Sequence, residues 1–291
     1  MTRLFAFLAA ILVSFVAISS ATASEAEPIH FRLDAARSSA GRVHASFSSY
    51  RGHDRDNRWS TDFAVRDLAG LDLGRLRAQG NQPVRFALAR EAGRLDCAGT
   101  GSHSIASGDC RFTVDAGFSN FLVSRGMRRP SESESFSMMA VNARRDIVEA
   151  LHAARYPVPT ADELISLTAV GVDGGYIAGL ARVGYRPSNL DTLLQFKALN
   201  VTPGWIEGFV RHGMGRMDPD ELVQLKALDI TADYIAGFER AGYRNLSPDQ
   251  LVQLKALGVT PGYAAAVRRG MAEFPTPERL VELKAIGFRP R

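Results

Sequence analysis

The stretch Leu254-Lys255-Ala256-Leu257-Gly258 decides how this chain is read, because its lysine returns at a fixed interval. The four lysines are Lys197, Lys226, Lys255 and Lys284, each 29 residues after the last. Stepping back by the same interval gives Thr168 and then Met139. A period in this range is the signature of a stacked repeat, in which each unit buries its apolar face only against its neighbours.

The period organises everything from Val114 to Gly287. Asp173, Thr202, Thr231 and Thr260 form one column, which Asp115 extends. Each suits a helix N-cap, since its side-chain oxygen can accept an otherwise unpaired backbone N–H. Arg144 occupies the same column and cannot cap in this way. A second cap column runs Ser131, Thr160, Asn189, Asp218, Ser247, Thr276. Stop signals recur at Asn142, Gly171, Asn200, Asp229, Gly258 and Gly287, residues that tolerate the left-handed conformation ending a helix. Gly126, Gly184, Gly213 and Gly242 end the other helix, with Arg155 and Met271 as exceptions.

Six helix-turn-helix units of 29 residues follow: 114–142, 143–171, 172–200, 201–229, 230–258 and 259–287, with residues 288–291 as a tail. The first helix carries one apolar column at Phe118, Ile147, Tyr176, Trp205, Tyr234 and Tyr263. A second lies four residues on, from Leu122 to Val267, which places both on one helix face. The small column Ala150, Gly179, Gly208, Gly237, Ala266 predicts close backbone approach, because an interior glycine costs a helix about 1 kcal/mol relative to alanine. The second helix is apolar nearly all round, as in Leu251, Val252, Leu254, Ala256 and Leu257, which predicts a helix sandwiched between neighbours.

Residues 24–113 lack the period and alternate like strands at Val43-Ala45-Phe47, Val84-Phe86-Leu88 and Cys110-Phe112. Ala92-Gly93 is a turn signal, Gly99 to Gly108 reads as a Gly/Ser-rich loop, and Leu68 to Leu76 is ambiguous. The expected fold class is α+β: a small antiparallel β domain that caps the first unit of a six-repeat α-solenoid.

Residues 1–23 have the form of a secretory signal: Arg3, an apolar run from Leu4 to Ile18, and Ala21-Thr22-Ala23 before the cleavage point. That run is short for a membrane span, and no later stretch is long or apolar enough to span once the signal is cleaved. The expectation is a periplasmic or secreted protein. Cys97 and Cys110 are then expected to form a disulfide, since two thiols without nearby histidines are too few for zinc.

Basic and acidic residues nearly balance in each part of the chain, so no concentrated positive field marks a nucleic-acid binder. No histidine is paired at metal-ligand spacing. His53-Asp54-Arg55-Asp56 lacks the glycine and distal glutamate of a calcium loop. Gly99-Thr100-Gly101-Ser102-His103 is not a hydrolase elbow, although Ser102 and His103 leave a hydrolase as a distant alternative. No cofactor is implied. Two basic columns are the candidate binding surface. Arg182, Arg211, Arg240 and Arg269 lie opposite the apolar face and are expected to be exposed. Lys197, Lys226, Lys255 and Lys284 either line a surface too, or pack their stems between units while the ammonium snorkels.

Two segments carry a resemblance. One runs from Phe86-Ala-Leu-Ala-Arg-Glu-Ala-Gly93 through Gly108-Asp-Cys-Arg-Phe112 to Phe118 and Gly126; the other is residues 242–261. Together they resemble the extracytoplasmic β-segment and helical repeats of some bacterial envelope proteins. Among these are regions appended to antirepressor-type, beta-lactam-sensor-like membrane metalloproteases. The chain has no His-Glu-x-x-His motif, so no catalytic residue is carried over. What the resemblance implies is an interaction or sensing role with an envelope protein as partner. An anionic glycan or lipid headgroup held on the basic columns is the alternative.

Overall fold

A computed structural model describes residues 29–37, 41–50, 56–215 and 217–290. The leader with its cleavage point, and His53-Asp54-Arg55, lie outside the described residues. The fold is α+β, as the sequence predicts.

Six strands build one antiparallel sheet: β1 (Ile29–Asp34), β2 (Arg42–Tyr50), β3 (Asp56–Ala64), β4 (Gln82–Arg90), β5 (Gly93–Ser102) and β6 (Ile105–Val114). Their spatial order is β3-β2-β1-β6-β5-β4, so two three-stranded meanders join where β1 meets β6. Strict alternation buries Ile29, Phe31 and Leu33 of β1 beside Val43, Ala45 and Phe47 of β2. The ambiguous segment Leu68 to Leu76 follows a 3-10 turn at Val65–Asp67 and becomes a bridge from Ala69 to Ala87 and most of α1 (Leu73–Arg77), capped by Asp72.

The Gly/Ser-rich segment is not a loop. It forms the ends of β5 and β6 around a two-residue turn at His103-Ser104, both with positive φ as this hairpin turn requires. Neighbouring backbone holds that turn, with Ser104 N–H donating to Leu76 O and Ala35 N–H to Ser104 O. Gly99 and Gly108 sit opposite each other for steric reasons: a Cβ on Gly99 would lie 2.1 Å from Ser107 O, and one on Gly108 2.3 Å from Ala98 O. These glycines permit close strand approach inside the sheet.

The repeat region is two rows of helices. The first helices are α2 (Ala116–Ser124), α4 (Arg145–Ala153), α6 (Gly174–Arg182), α8 (Pro203–Val210), α10 (Ala232–Arg240) and α12 (Pro261–Gly270). The second helices are α3 (Glu132–Val141), α5 (Ala161–Ala169), α7 (Leu190–Ala198), α9 (Pro219–Ala227), α11 (Pro248–Ala256) and α13 (Pro277–Ala285). Each helix packs on the like helix of the next unit, α2 on α4 and α3 on α5, through to α12 and α13. The caps fall on their columns: Asp115, Asp173, Thr202, Thr231 and Thr260 accept the backbone N–H three residues on, whereas Arg144 makes no such bond. Every stop residue from Asn142 to Gly287 has positive φ, and Arg155 adopts it as well. Met271 does not, and α12 runs on to Gly270.

The small column works as predicted. A Cβ on Gly179 would lie 2.7 Å from Pro203 Cγ, and one on Gly237 2.6 Å from Pro261 Cγ. Each glycine thus faces the first residue of the next unit's first helix. The second helices depart from expectation. Leu251 and Leu254 are fully buried, but Ala256 and Leu257 face solvent. Like helices of adjacent units cover two flanks, and the outer edge of the row has no third layer.

One apolar core runs from Ile29 in the sheet to Leu283 in the last helix. At the junction Phe112 of β6 meets Phe136 of α3 edge to face, with centroids 5.4 Å apart. Arg90 of β4 donates to Met139 O at 2.6 Å and Ala140 O at 2.7 Å, capping the end of α3. Its guanidinium lies 5.3 Å from the Trp59 ring centroid, and burial lowers its pKa. The sheet therefore closes the first end of the helical stack.

Candidate interaction surface

Three ladders run along the stack, one residue per unit. The lysine ladder is built into the structure. Lys197, Lys226, Lys255 and Lys284 are half-buried. Their Nζ atoms lie 4.4, 5.2, 4.9 and 4.8 Å from the ring centroids of Tyr176, Trp205, Tyr234 and Tyr263 of the same unit. Such a contact stabilises by about 0.5–1 kcal/mol where solvent reaches it. Each ring then passes its own polar atom to the segment that follows its unit. Tyr176 Oη donates to Val201 O at 2.7 Å, Trp205 Nε1 to Ile230 O at 3.2 Å, Tyr234 Oη to Val259 O at 2.7 Å and Tyr263 Oη to Phe288 O at 3.2 Å. Burial raises the Tyr176 and Tyr234 pKa values, so both hydroxyls stay protonated donors. Lys255 Nζ also donates to Asp229 O of the preceding unit at 3.0 Å. In the fifth unit the lysine thus joins backwards while its aromatic partner Tyr234 joins forwards. In the first two units the pairs are Phe118 with Met139 and Ile147 with Thr168, so ring donor and lysine are missing together. That correlation was visible in the sequence as two columns 21 residues apart.

The arginine ladder is exposed at all four positions, Arg182, Arg211, Arg240 and Arg269. None is in a salt bridge among the described residues. Arg240 Nε folds back to Ala236 O at 3.2 Å.

The third ladder was missed at the sequence level. At the ends of the second helices Val170, Leu199, Leu257 and Ile286 are 36%, 39%, 43% and 76% exposed, with Leu228 half-buried in the same column. The residue before each is alanine in every unit, and Ala169, Ala198, Ala227, Ala256 and Ala285 are all exposed. The two columns together make an apolar ridge along the second-helix row. The signal was the repetition itself, since a surface position free to vary would not hold an aliphatic residue in every unit.

Cys97 and Cys110 face each other across β5 and β6 and form a disulfide on the buried side of the sheet. No group of three or more His, Cys, Asp or Glu side chains that could hold a metal exists among the described residues. No single helix among them is long and apolar enough to cross a membrane. Comparison with protein-family models, curated proteins and solved structures returns no match.

Proposed function

We propose that this chain is an exported, non-catalytic scaffold that binds another envelope protein along the apolar ridge of its second-helix row. The observation that carries this reading is the ridge itself, with solvent-facing aliphatic residues in register over successive units. Scattered exposed apolar residues are ordinary, whereas a contiguous patch marks an interaction surface. The disulfide and the signal-like leader support export. The envelope-sensor resemblance of residues 84–287 points the same way.

The exposed, unpaired arginine ladder favours a second reading, in which an anionic glycan or lipid headgroup lies along the first-helix row. One experiment separates them. The protein is presented to envelope extract as wild type, with Leu199, Leu228 and Leu257 changed to Asp, and with the four arginines changed to Gln. The scaffold reading expects the aspartate variant to lose a protein partner that the arginine variant keeps, in low and high salt alike. Loss with the arginine variant only, together with salt sensitivity, assigns binding to the basic ladder.

A further inference from the structure

The outer face of the sheet carries a feature that the solenoid does not explain. Side chains on this face of β3, β2, β1 and β6 fall in rows set by strand register. His44 pairs with Asp62 on one side and Asp34 on the other. In the next row Ser46 lies between Ser60 and Arg32. In the third Ser48 lies between Arg58 and His30. Small hydroxyls thus occupy the centre while long cationic and imidazole side chains stand around them. The result is an open hollow of about 450 Å³, within the range of small-molecule sites. Threonine is enriched in strands, so a polar face that needed only solvation would favour it over serine. Ser46 and Ser48 on β2, with Ser60 beside them on the edge strand β3, create room.

The donors around that room are organised. His44 Nδ1 is 2.8 Å from Asp62 Oδ1, and His30 Nδ1 is 2.5 Å from Asp109 Oδ1, so carboxylates orient both rings. Asp34 is occupied by the N–H groups of Ala36 and Arg37 and by Arg37 Nε at 3.6 Å. Arg32 and Arg58 are in no ion pair among the described residues. They stand on strands β1 and β3, two interstrand spacings and one row apart, which is about 12 Å, with Ser46 and Ser48 between them. Side chains of their length can converge on one group above those serines. Counting Arg37, the rim's three arginines balance its three aspartates formally, so recognition rests on placement of donors more than on net field. Apart from the His30 and His44 imidazoles, each held by a carboxylate, no aromatic side chain described on this face is placed to stack a base or sugar.

We propose that the hollow binds a phosphate group carried on a small hydroxylated, non-aromatic body. Two guanidinium forks suit phosphate geometry. The serine hydroxyls and imidazoles reach the remaining phosphate oxygens and the hydroxyls of the body. Phosphate oxygens can accept donors from several sides at once, as converging arginines on two strands require, whereas a planar carboxylate offers two. The group can come from a soluble polyol phosphate or from a phospholipid headgroup.

The test uses the full mature chain in titration calorimetry with glycerol 3-phosphate, inorganic phosphate and glycerol. Flotation with vesicles containing phosphatidic acid forms a parallel arm. The variant is Arg32→Gln with Arg58→Gln. The control is Arg94→Gln with Arg111→Gln, elsewhere on the same face. All four arginines are exposed, so melting temperatures should match wild type. Saturable binding of glycerol 3-phosphate by wild type and the control, at least tenfold weaker in the hollow variant, supports the site with a soluble ligand. Vesicle binding alone, lost in the hollow variant, supports it with a lipid ligand. The proposal is overturned if neither arm binds, if glycerol binds as well as its phosphate, or if the hollow variant binds like the control.

Discussion

Gly237 shows how a single hydrogen decides a contact between units. An interior glycine costs a helix about 1 kcal/mol relative to alanine, so Gly237→Ala would stabilise an isolated helix. Here the added Cβ would meet Pro261 Cγ at 2.6 Å and Pro261 Cβ at 2.9 Å, both on a rigid ring. Overpacking of this kind costs about 1–3 kcal/mol, which exceeds the propensity gain. Gly270, at the end of α12, has nothing within 4 Å of an added Cβ. Gly237→Ala should therefore lower the melting temperature while Gly270→Ala leaves it unchanged or raises it, as thermal unfolding of the two variants would show. The close approach was readable from the sequence because glycine recurs where helix propensity opposes it. Gly99 and Gly108 were misread because they do not recur, and an isolated glycine looks the same in a loop and in a tight strand pair. The hollow around Arg32 was illegible for a related reason: its rows exist only once the strands are in register.

At the scale of one element, α3 illustrates how much a helix start contributes. Ser131 Oγ accepts Glu134 N–H at 3.2 Å, and the Glu134 carboxylate accepts Ser131 N–H at 2.7 Å. Arg128 pairs with the same carboxylate, with Nη1 3.0 Å from Oε2. The Arg128 hydrogen bond is the largest of the causes that hold the Glu134 pKa down at about 2, ahead of the Ser131 backbone bond. A carboxylate depressed in the folded state stabilises fully above its ordinary value near 4.5 and loses that contribution as pH falls toward 2. Glu134→Gln keeps the capping geometry and removes the charge. The wild type should melt above this variant at neutral pH, by a modest and salt-sensitive margin because Arg128 is exposed. The margin should close between pH 4.5 and 2, and a constant margin over that window would refute the assignment. Caps such as this were legible because they join a side chain to its own local backbone. The open edge of the second-helix row was not, because an all-round apolar pattern records that contacts exist without saying how many layers supply them.

The whole molecule is a sheet-capped stack in which each unit repeats the same joints. The glycine column meets the first residue of the next unit's first helix, the ring donor of units three to five reaches the next unit's opening carbonyl and that of unit six reaches Phe288 O of the tail, and the lysine lies over that ring. The sheet supplies for the first unit what a preceding unit supplies elsewhere: Arg90 caps α3 and Phe112 packs on Phe136. The six-unit stack was legible from the period alone. The strand order was not, since nothing local in Ile29–Asp34 announces that β1 pairs with β6. If the joints are equivalent, the number of units is adjustable. Deleting residues 230–258 would place Gly208 against Pro261 and Trp205 Nε1 against Val259 O, contacts of the kind already present between other units. Deleting residues 230–244 would remove one helix and leave both rows out of phase. The most direct test is equilibrium denaturation of both proteins followed by helical circular dichroism. The stacked-repeat account predicts a cooperative transition for the 29-residue deletion, with a smaller denaturant dependence from the smaller buried surface, and loss of cooperative folding for the 15-residue deletion. Equal loss of cooperative folding in both would contradict it.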